Sequence, residues 1–232
     1  MSEPQGPWDL VLSSGFLAFA RHCGFLAGVE QHRLPVDGVC GTSSGALVGA
    51  LWAAGYPAEA IAERLSADRP LAIMRPPLAP WRGLFSLGGL ITRLRDWLPS
   101  DFAGLERPFG VGVMGPDRCS TLLTEGPLPE AIAASCAVPG LFAPVRIGGT
   151  WYRDGGVVDR IGLQVWRSYR GERNFVVHQV ERSAGKDTPV PVDVAVVRTP
   201  RSGASLWTLG DFQLQCDEAR ALTQPVLAAI TP

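Results

Sequence analysis

Gly41-Thr42-Ser43-Ser44-Gly45 fits the pattern G-x-S-x-G and stands where an apolar strand runs directly into an apolar helix. A sharp strand-to-helix turn lifts the central hydroxyl out of the backbone, and glycines two places to either side let the chain pack closely around it. The following helix places its positive end there, which favours negative charge developing on a substrate oxygen. Ser43 is thus a candidate nucleophile for acyl transfer, with the backbone N–H of Ser44 as a candidate oxyanion donor and Gly41 and Gly45 as the turn glycines. The same pattern also describes an ordinary glycine-rich strand-helix turn, so the chemistry depends on a partner for the serine.

A serine hydroxyl attacks only when a base takes its proton. Two arrangements of the remaining residues supply one. In the chain order Ser43, Asp154, His178, a triad of the hydrolase kind can be drawn. Alternatively Asp154, in Tyr152-Arg153-Asp154-Gly155-Gly156, serves as a direct base, since burial would raise its pKa toward the working range. His178 lies in the apolar run Phe175-Val176-Val177-His178, where a hydrogen-bonded core histidine is the plainer role. His22 sits beside Cys23 in the first helix and suits packing. Asp159 lacks the flanking glycines of Asp154, and neither aspartate has metal-ligand spacing to a histidine.

The elements that must position these groups follow from periodicity. Trp8–Ser13 reads as a buried strand ending in the turn Ser13-Ser14-Gly15, Ala18–Gln31 as a helix, and Val36–Cys40 as the next strand. Strand, helix, strand predicts a parallel pair whose ligand site lies at the carboxyl ends, where both the Ser14 and the Ser43 turns fall. Ala46–Ala54 is apolar on all sides and predicts a buried helix, and Pro57 opens an amphipathic one through about Leu65. Helices are expected over Leu87–Leu98, Pro129–Ala137 and Gly210–Leu222. Strands are expected at Pro108–Met114, Val145–Ile147, Trp151–Arg153, Asn174–His178 and Val192–Val197. Residues 68–86 carry Pro70, Pro76, Pro77 and Pro80 among large apolar side chains, too many prolines for a regular element. That loop is expected to cover the core or to act as a lid. The class is α/β, a mainly parallel sheet sandwiched by helices, as a single domain over residues 1–232.

Composition narrows the function. The 232 residues are 46% hydrophobic and 19% charged with a net charge of −1, which supports a sizeable core and argues against nucleic acid as partner. Five cysteines, Cys23, Cys40, Cys119, Cys136 and Cys216, form no C-x-x-C pair, so buried free thiols are expected instead of a disulfide framework or zinc site. The 21 residues between Asp37 and Glu59 carry no charge, but their glycines and serines mark a turn and buried helix instead of a membrane span. Met1-Ser-Glu-Pro-Gln-Gly-Pro7 shows no basic region followed by an apolar one, so the expected address is cytoplasmic, peripheral to membrane where lipid is handled.

Taken together, several segments make the chain resemble the patatin-like phospholipase family. They are Asp9–Gly15, His22-Cys-Gly-Phe-Leu26, Gly41–Leu47, Gly126-Pro-Leu-Pro-Glu-Ala-Ile132, Ser135-Cys-Ala-Val-Pro-Gly-Leu-Phe142, Pro144-Val145 and Tyr152–Gly156, in family order. The resemblance implies a patatin-like fold and a lipid acyl hydrolase with no cofactor and no metal. It further implies Ser43 as nucleophile and Asp154 as base of a Ser-Asp dyad with Gly155 and Gly156 as its turn glycines, and an acyl-enzyme intermediate. Lipid or another acyl ester is the implied partner.

One departure stands out. The family's oxyanion loop reads G-G-G-x-R-G, whereas the aligned stretch is Ser14-Gly15-Phe16-Leu17-Ala18-Phe19, with alanine in the arginine position. Backbone N–H groups do the work in such a loop, and Ser14, Gly15 and Phe16 all possess them. A positive φ at Phe16 would be strained, and glycine there would be expected to help. The altered loop keeps open a degenerate domain that binds lipid or protein without turnover. An acyltransferase using the same serine is a third reading.

Overall fold

A computed structural model describes residues 7–67, 83–181, 183–185 and 188–230. The sequence expectation of a lid falls largely on residues 68–82, which lie outside the described residues. The sheet is built around β1 (Trp8–Leu12), every residue of which is buried. β1 pairs in parallel with β2 (Val36–Thr42) on one side and β7 (Asn174–Val180) on the other. β3 (Phe109–Met114) continues in parallel beside β2, and β8 (Ala195–Thr199) beside β7. Past β3 the direction reverses: β4 (Ser120–Leu123) and β6 (Thr150–Asp154) both run antiparallel to it, and β5 (Val145–Ile147) antiparallel to β6. The strand order is β5-β6-β3-β2-β1-β7-β8, with β4 off that path on β3.

Helices cover both faces, as two-sided burial of parallel strands demands. One face carries the larger core, in which Phe25, Leu26, Leu47, Leu51, Leu94, Leu128 and Ile132 pack over the sheet. They come from α1 (Phe19–His32), α2 (Ser44–Ala53), α4 (Gly88–Trp97) and α5 (Leu128–Ser135). α3 (Ala58–Ser66) buries Ala58 and Ile61 against that layer. The opposite face holds a smaller cluster of Val11, Cys40, Phe175 and Val177 under Leu163 and Trp166 of α6 (Leu163–Arg170). α7 (Phe212–Ile230) packs along α1 and β8.

Two elements were not anticipated, and both are hard to see locally. α6 is eight residues long, three of them basic or tyrosine at the surface, and only Leu163 and Trp166 are buried. β4 is four residues, none fully buried, at the margin of the sheet. α7 also runs on to Ile230, beyond the expected Leu222, continuing through Pro225, which is exposed. All five thiols are free, yet Cys119 is exposed, against the expectation of burial.

Register brings the sequence motifs together. Leu12 lies opposite Gly41 on β2 and opposite His178 on β7, so the Ser13–Gly15 turn and the Ser43 elbow leave the same end of adjacent strands. Thr42 pairs with Gly112, and Val113 of β3 pairs with Asp154 of β6. The antiparallel entry of β6 delivers Asp154 to the carboxyl end of β3, one strand away from Ser43.

Candidate active site

Ser43 adopts φ 54° and ψ −119°, a conformation that L-residues with side chains rarely hold. Such strain costs on the order of 1–3 kcal/mol and persists only when the surroundings over-determine it. They do so here. A Cβ on Gly41 would lie 2.3 Å from the Gly45 carbonyl oxygen, and one on Gly45 would lie 2.3 Å from that of Leu12. Glycine at both places lets α2 sit against β1 and β2. The Ser43 N–H donates to Ser135 Oγ at 2.7 Å, and that hydroxyl donates to the Gly112 carbonyl at 2.6 Å, tying the elbow to α5 and β3.

Asp154 ends β6 with 4% exposure, and the Ser43 side chain lies beside its carboxylate at the mouth of the same cavity. Burial pushes its pKa up to about 6, against the opposing effects of the Ser43 hydroxyl and the Gly156 N–H, which donates at 2.7 Å. Gly155 and Gly156 permit the approach: added Cβ atoms would meet the Gly112 carbonyl oxygen at 2.5 Å and Ser14 Oγ at 2.6 Å. Cys136 lies beside both groups. Burial first, and then the Asp154 charge, raise its thiol far above the ordinary range, so it stays protonated and does not compete as a nucleophile.

Of the three loop amides expected as oxyanion donors, the structure leaves two available. Ser14 N–H is spent on the Arg160 carbonyl at 2.6 Å, which corrects its assignment as a donor to substrate. Gly15 N–H and Phe16 N–H meet no acceptor among the described residues. The strain expected at Phe16 is also absent: Leu17 instead takes the positive φ of 50°. Gly15 is required by packing, since a Cβ there would lie 2.8 Å from Ala18 Cβ. Ser44, the first residue of α2, has no intrahelical acceptor for its N–H, so it stays with Gly15 and Phe16 as a third candidate.

The triad alternative fails on geometry. His178 Nδ1 is 2.8 Å from His22 Nδ1, and its Nε2 is 3.0 Å from Thr199 Oγ1, so both ring nitrogens are engaged away from Asp154. Its ring stacks on Phe25. His22 Nε2 in turn lies 3.2 Å from Ser44 Oγ, which ties that buried side chain to α1. Burial lowers the His22 pKa to about 3 and that of His178 well below its ordinary value, so both rings are neutral. Asp159, passed over for want of glycines, accepts the Ile161 and Gly162 N–H groups and the Thr188 hydroxyl.

Ser43 and Asp154 open into a cavity of about 330 Å³. Phe19, Leu47, Leu87, Leu90, Val138 and Phe142 give it apolar walls, and Phe16 stands half-exposed at its margin. Phe85, at the end of the proline-rich stretch, is held against this wall by backbone bonds to Leu141 and Ala143. Sequence reasoning missed Ser135, Cys136 and Arg160. The first two stood in a matched segment, but no spacing marks a residue that accepts the Ser43 N–H from another helix.

The chain is thus an α/β sheet protein with a strained serine at a strand-to-helix elbow, a buried aspartate beside it and an apolar cavity over both. A family model described as Patatin-like phospholipase matches residues 10–165, and the chain belongs to the patatin-like phospholipase family. An uncharacterized NTE family protein of Mycobacterium tuberculosis is 29% identical over 159 residues, 66% of this chain and 44% of that protein. Lysophospholipase NTE1 of Candida albicans is 26% identical over 190 residues, 74% of this chain and 13% of that protein. The chain therefore spans less than half the length of these relatives. Among solved structures, VipD from Legionella pneumophila superposes with a TM-score of 0.62 at 13% identity, over 98% of this chain and 68% of VipD. The type III effector ExoU of Pseudomonas aeruginosa superposes with a TM-score of 0.56 at 14% identity, over 97% of this chain and 54% of that one. These likenesses bear on the fold. No helix among the described residues is long and apolar enough to cross a membrane.

Proposed function

We propose that the protein hydrolyses the acyl ester of a lipid through a Ser43–Asp154 dyad and an acyl-enzyme. The observation that carries this reading is the placement of the strained Ser43 beside a buried carboxylate, whose pKa lies at about 6, at one apolar cavity. At neutral pH that group is ionised and can accept a proton, which an ordinary surface carboxylate does poorly. Ser43 Oγ attacks the ester carbonyl carbon while Asp154 takes its proton. Negative charge gathers on the former carbonyl oxygen, facing the amides of Gly15, Phe16 and Ser44 and the positive end of α2. Collapse of the tetrahedral intermediate breaks the bond to the alcohol oxygen, which leaves with the proton held by Asp154. Water then gives a proton to Asp154 and attacks the acyl-enzyme, releasing the fatty acid and returning the proton to Ser43.

The apolar walls of the cavity suit an acyl chain, and the lysophospholipase among the relatives supports lipid as its source. A degenerate binding domain was suggested by the altered loop, but two unspent amides there support turnover instead. The test is labelling with a fluorophosphonate probe together with hydrolysis of p-nitrophenyl butyrate and a lysophospholipid. Covalent labelling at Ser43 and release of both products are expected. A folded protein that neither labels nor hydrolyses any of them would leave the binding-domain reading standing.

A further inference from the structure

Arg160 is a cation with 1% exposure, and burying a guanidinium costs several kcal/mol unless its donors are well used. Its Nη2 donates to two backbone carbonyls, Ser14 at 3.3 Å and Val180 at the end of β7. Its own carbonyl accepts the Ser14 N–H. One residue, 146 positions along the chain, thus holds both the N–H and the C=O of Ser14. Ser13 Oγ completes the clasp, donating to the Ser14 carbonyl at 3.2 Å and accepting Val180 N–H at 3.0 Å.

The Ser14 carbonyl and the Gly15 N–H belong to the same peptide unit. In a planar trans peptide they point in opposite directions, so fixing one aims the other. A charged donor on the carbonyl also polarises the unit and strengthens its N–H as a donor. Arg160 lies on the carbonyl side of that peptide, away from the direction in which the Gly15 amide points. Ala18, in the place where the resembled loop pattern has arginine, is fully buried and folds back on the Gly15 carbonyl at 3.2 Å.

We propose that Arg160 is the positioning residue of the oxyanion loop, orienting and polarising the Ser14–Gly15 peptide so that its amide meets the substrate oxyanion. The proposal rests on the reading of Ser43 as an acyl-transfer nucleophile, and its test separates the two. Arg160→Lys and Arg160→Ala in the full chain are compared with wild type by kcat and KM on p-nitrophenyl butyrate, by the rate of fluorophosphonate labelling, and by thermal unfolding. Misaiming a donor whose outright loss costs about 10²–10³-fold should lower kcat and the labelling rate by roughly 10–100-fold with KM within about twofold. Methylguanidine should restore part of the loss in Arg160→Ala, since it can refill the vacated space; methylammonium should not.

Folded variants with wild-type kcat, or with a raised KM and unchanged kcat, would overturn the proposal. Should Arg160→Ala fail to fold, Arg160→Lys retains a buried cation and is read in the same way. Wild type that neither labels nor turns over would sink the hydrolase reading alone. In that case the Gly15 amide proton resonance still reports: it should move upfield in Arg160→Met, which takes the charged donor off the Ser14 carbonyl, and an unmoved resonance would overturn the inference.

Discussion

Two buried aspartates lie at opposite ends of the same sheet and meet opposite surroundings. Asp9 opens β1 at the amino end, fully buried, with Arg170 at 2.8 Å and Arg173 at 3.8 Å. Asp37 of β2 joins the cluster, and although burial pushes its pKa up, Arg170 and Arg173 hold it below the ordinary range. Asp154 at the carboxyl end has no cation beside it among the described residues, and burial takes it to about 6. A paired carboxylate is a fastener between β1, β2 and α6. An unpaired one keeps a raised pKa. The difference lies in whether a cation shares the burial, and it is what the proposed base role of Asp154 depends on.

The largest effect should come from removing Ser43, the proposed nucleophile, which faces the unpaired carboxylate. Ser43→Ala is expected to lower ester turnover by more than about 10³-fold and abolish labelling, with thermal unfolding little changed, because alanine keeps the Cβ and the same φ and only the hydroxyl goes. Asp154→Asn should cost on the order of 10³-fold in kcat while stabilising the protein at pH 8. The sign follows from linkage: a carboxyl whose folded pKa exceeds its unfolded value favours folding when protonated. That contribution is full below about pH 4 and is lost as pH rises through about 6. Asparagine is always neutral, so denaturant titrations should give the variant an advantage on the order of 2 kcal/mol at pH 8 that fades toward pH 4. A variant less stable than wild type at pH 8 would contradict the burial account.

Asp9→Asn breaks the comparison from the other end. Leaving Arg170 and Arg173 without their buried partner should cost on the order of 3 kcal/mol in urea unfolding, with kcat on p-nitrophenyl butyrate within about twofold of wild type. A smaller effect is expected from pH alone. The kcat/KM of wild type should rise with pH through a midpoint near about 6 as Asp154 ionises, and level off above it. Phe16→Gly should do least, changing turnover by under about threefold, because Phe16 is half-exposed and Leu17 carries the positive φ. An increase well beyond that would restore the idea of a strained Phe16.

Much of the fold was legible because its signals are local. β1 and β2 are short apolar runs ended by glycine and serine, and α2 is apolar all round because all ten of its residues are buried. α6 and β4 were not legible, because α6 buries only Leu163 and Trp166 and β4 buries no residue fully, too few buried positions to set a period. The site divides in the same way. Ser43 and Asp154 are marked by the glycines that tight approach demands. Nothing local marks Ser135, whose hydroxyl bridges the Ser43 amide and the Gly112 carbonyl, or Arg160, whose partners are carbonyls with no side-chain signature.

The amino-acid order alone therefore determined the chemistry on offer: a serine at a turn only small neighbours permit, an aspartate flanked by glycines, and the helices and strands that carry them. Tertiary structure decided which groups act together. The register of β6 on β3 brought Asp154 to Ser43, the pairing of His178 with His22 and Thr199 held that ring away from both, and the Arg160 carbonyl took the Ser14 amide. The physical reason is that turn geometry and hydrophobic period are properties of neighbouring residues. Desolvation and the choice of hydrogen-bond partner depend on what distant segments pack against, and those two decide whether a buried polar group is a fastener or a reagent.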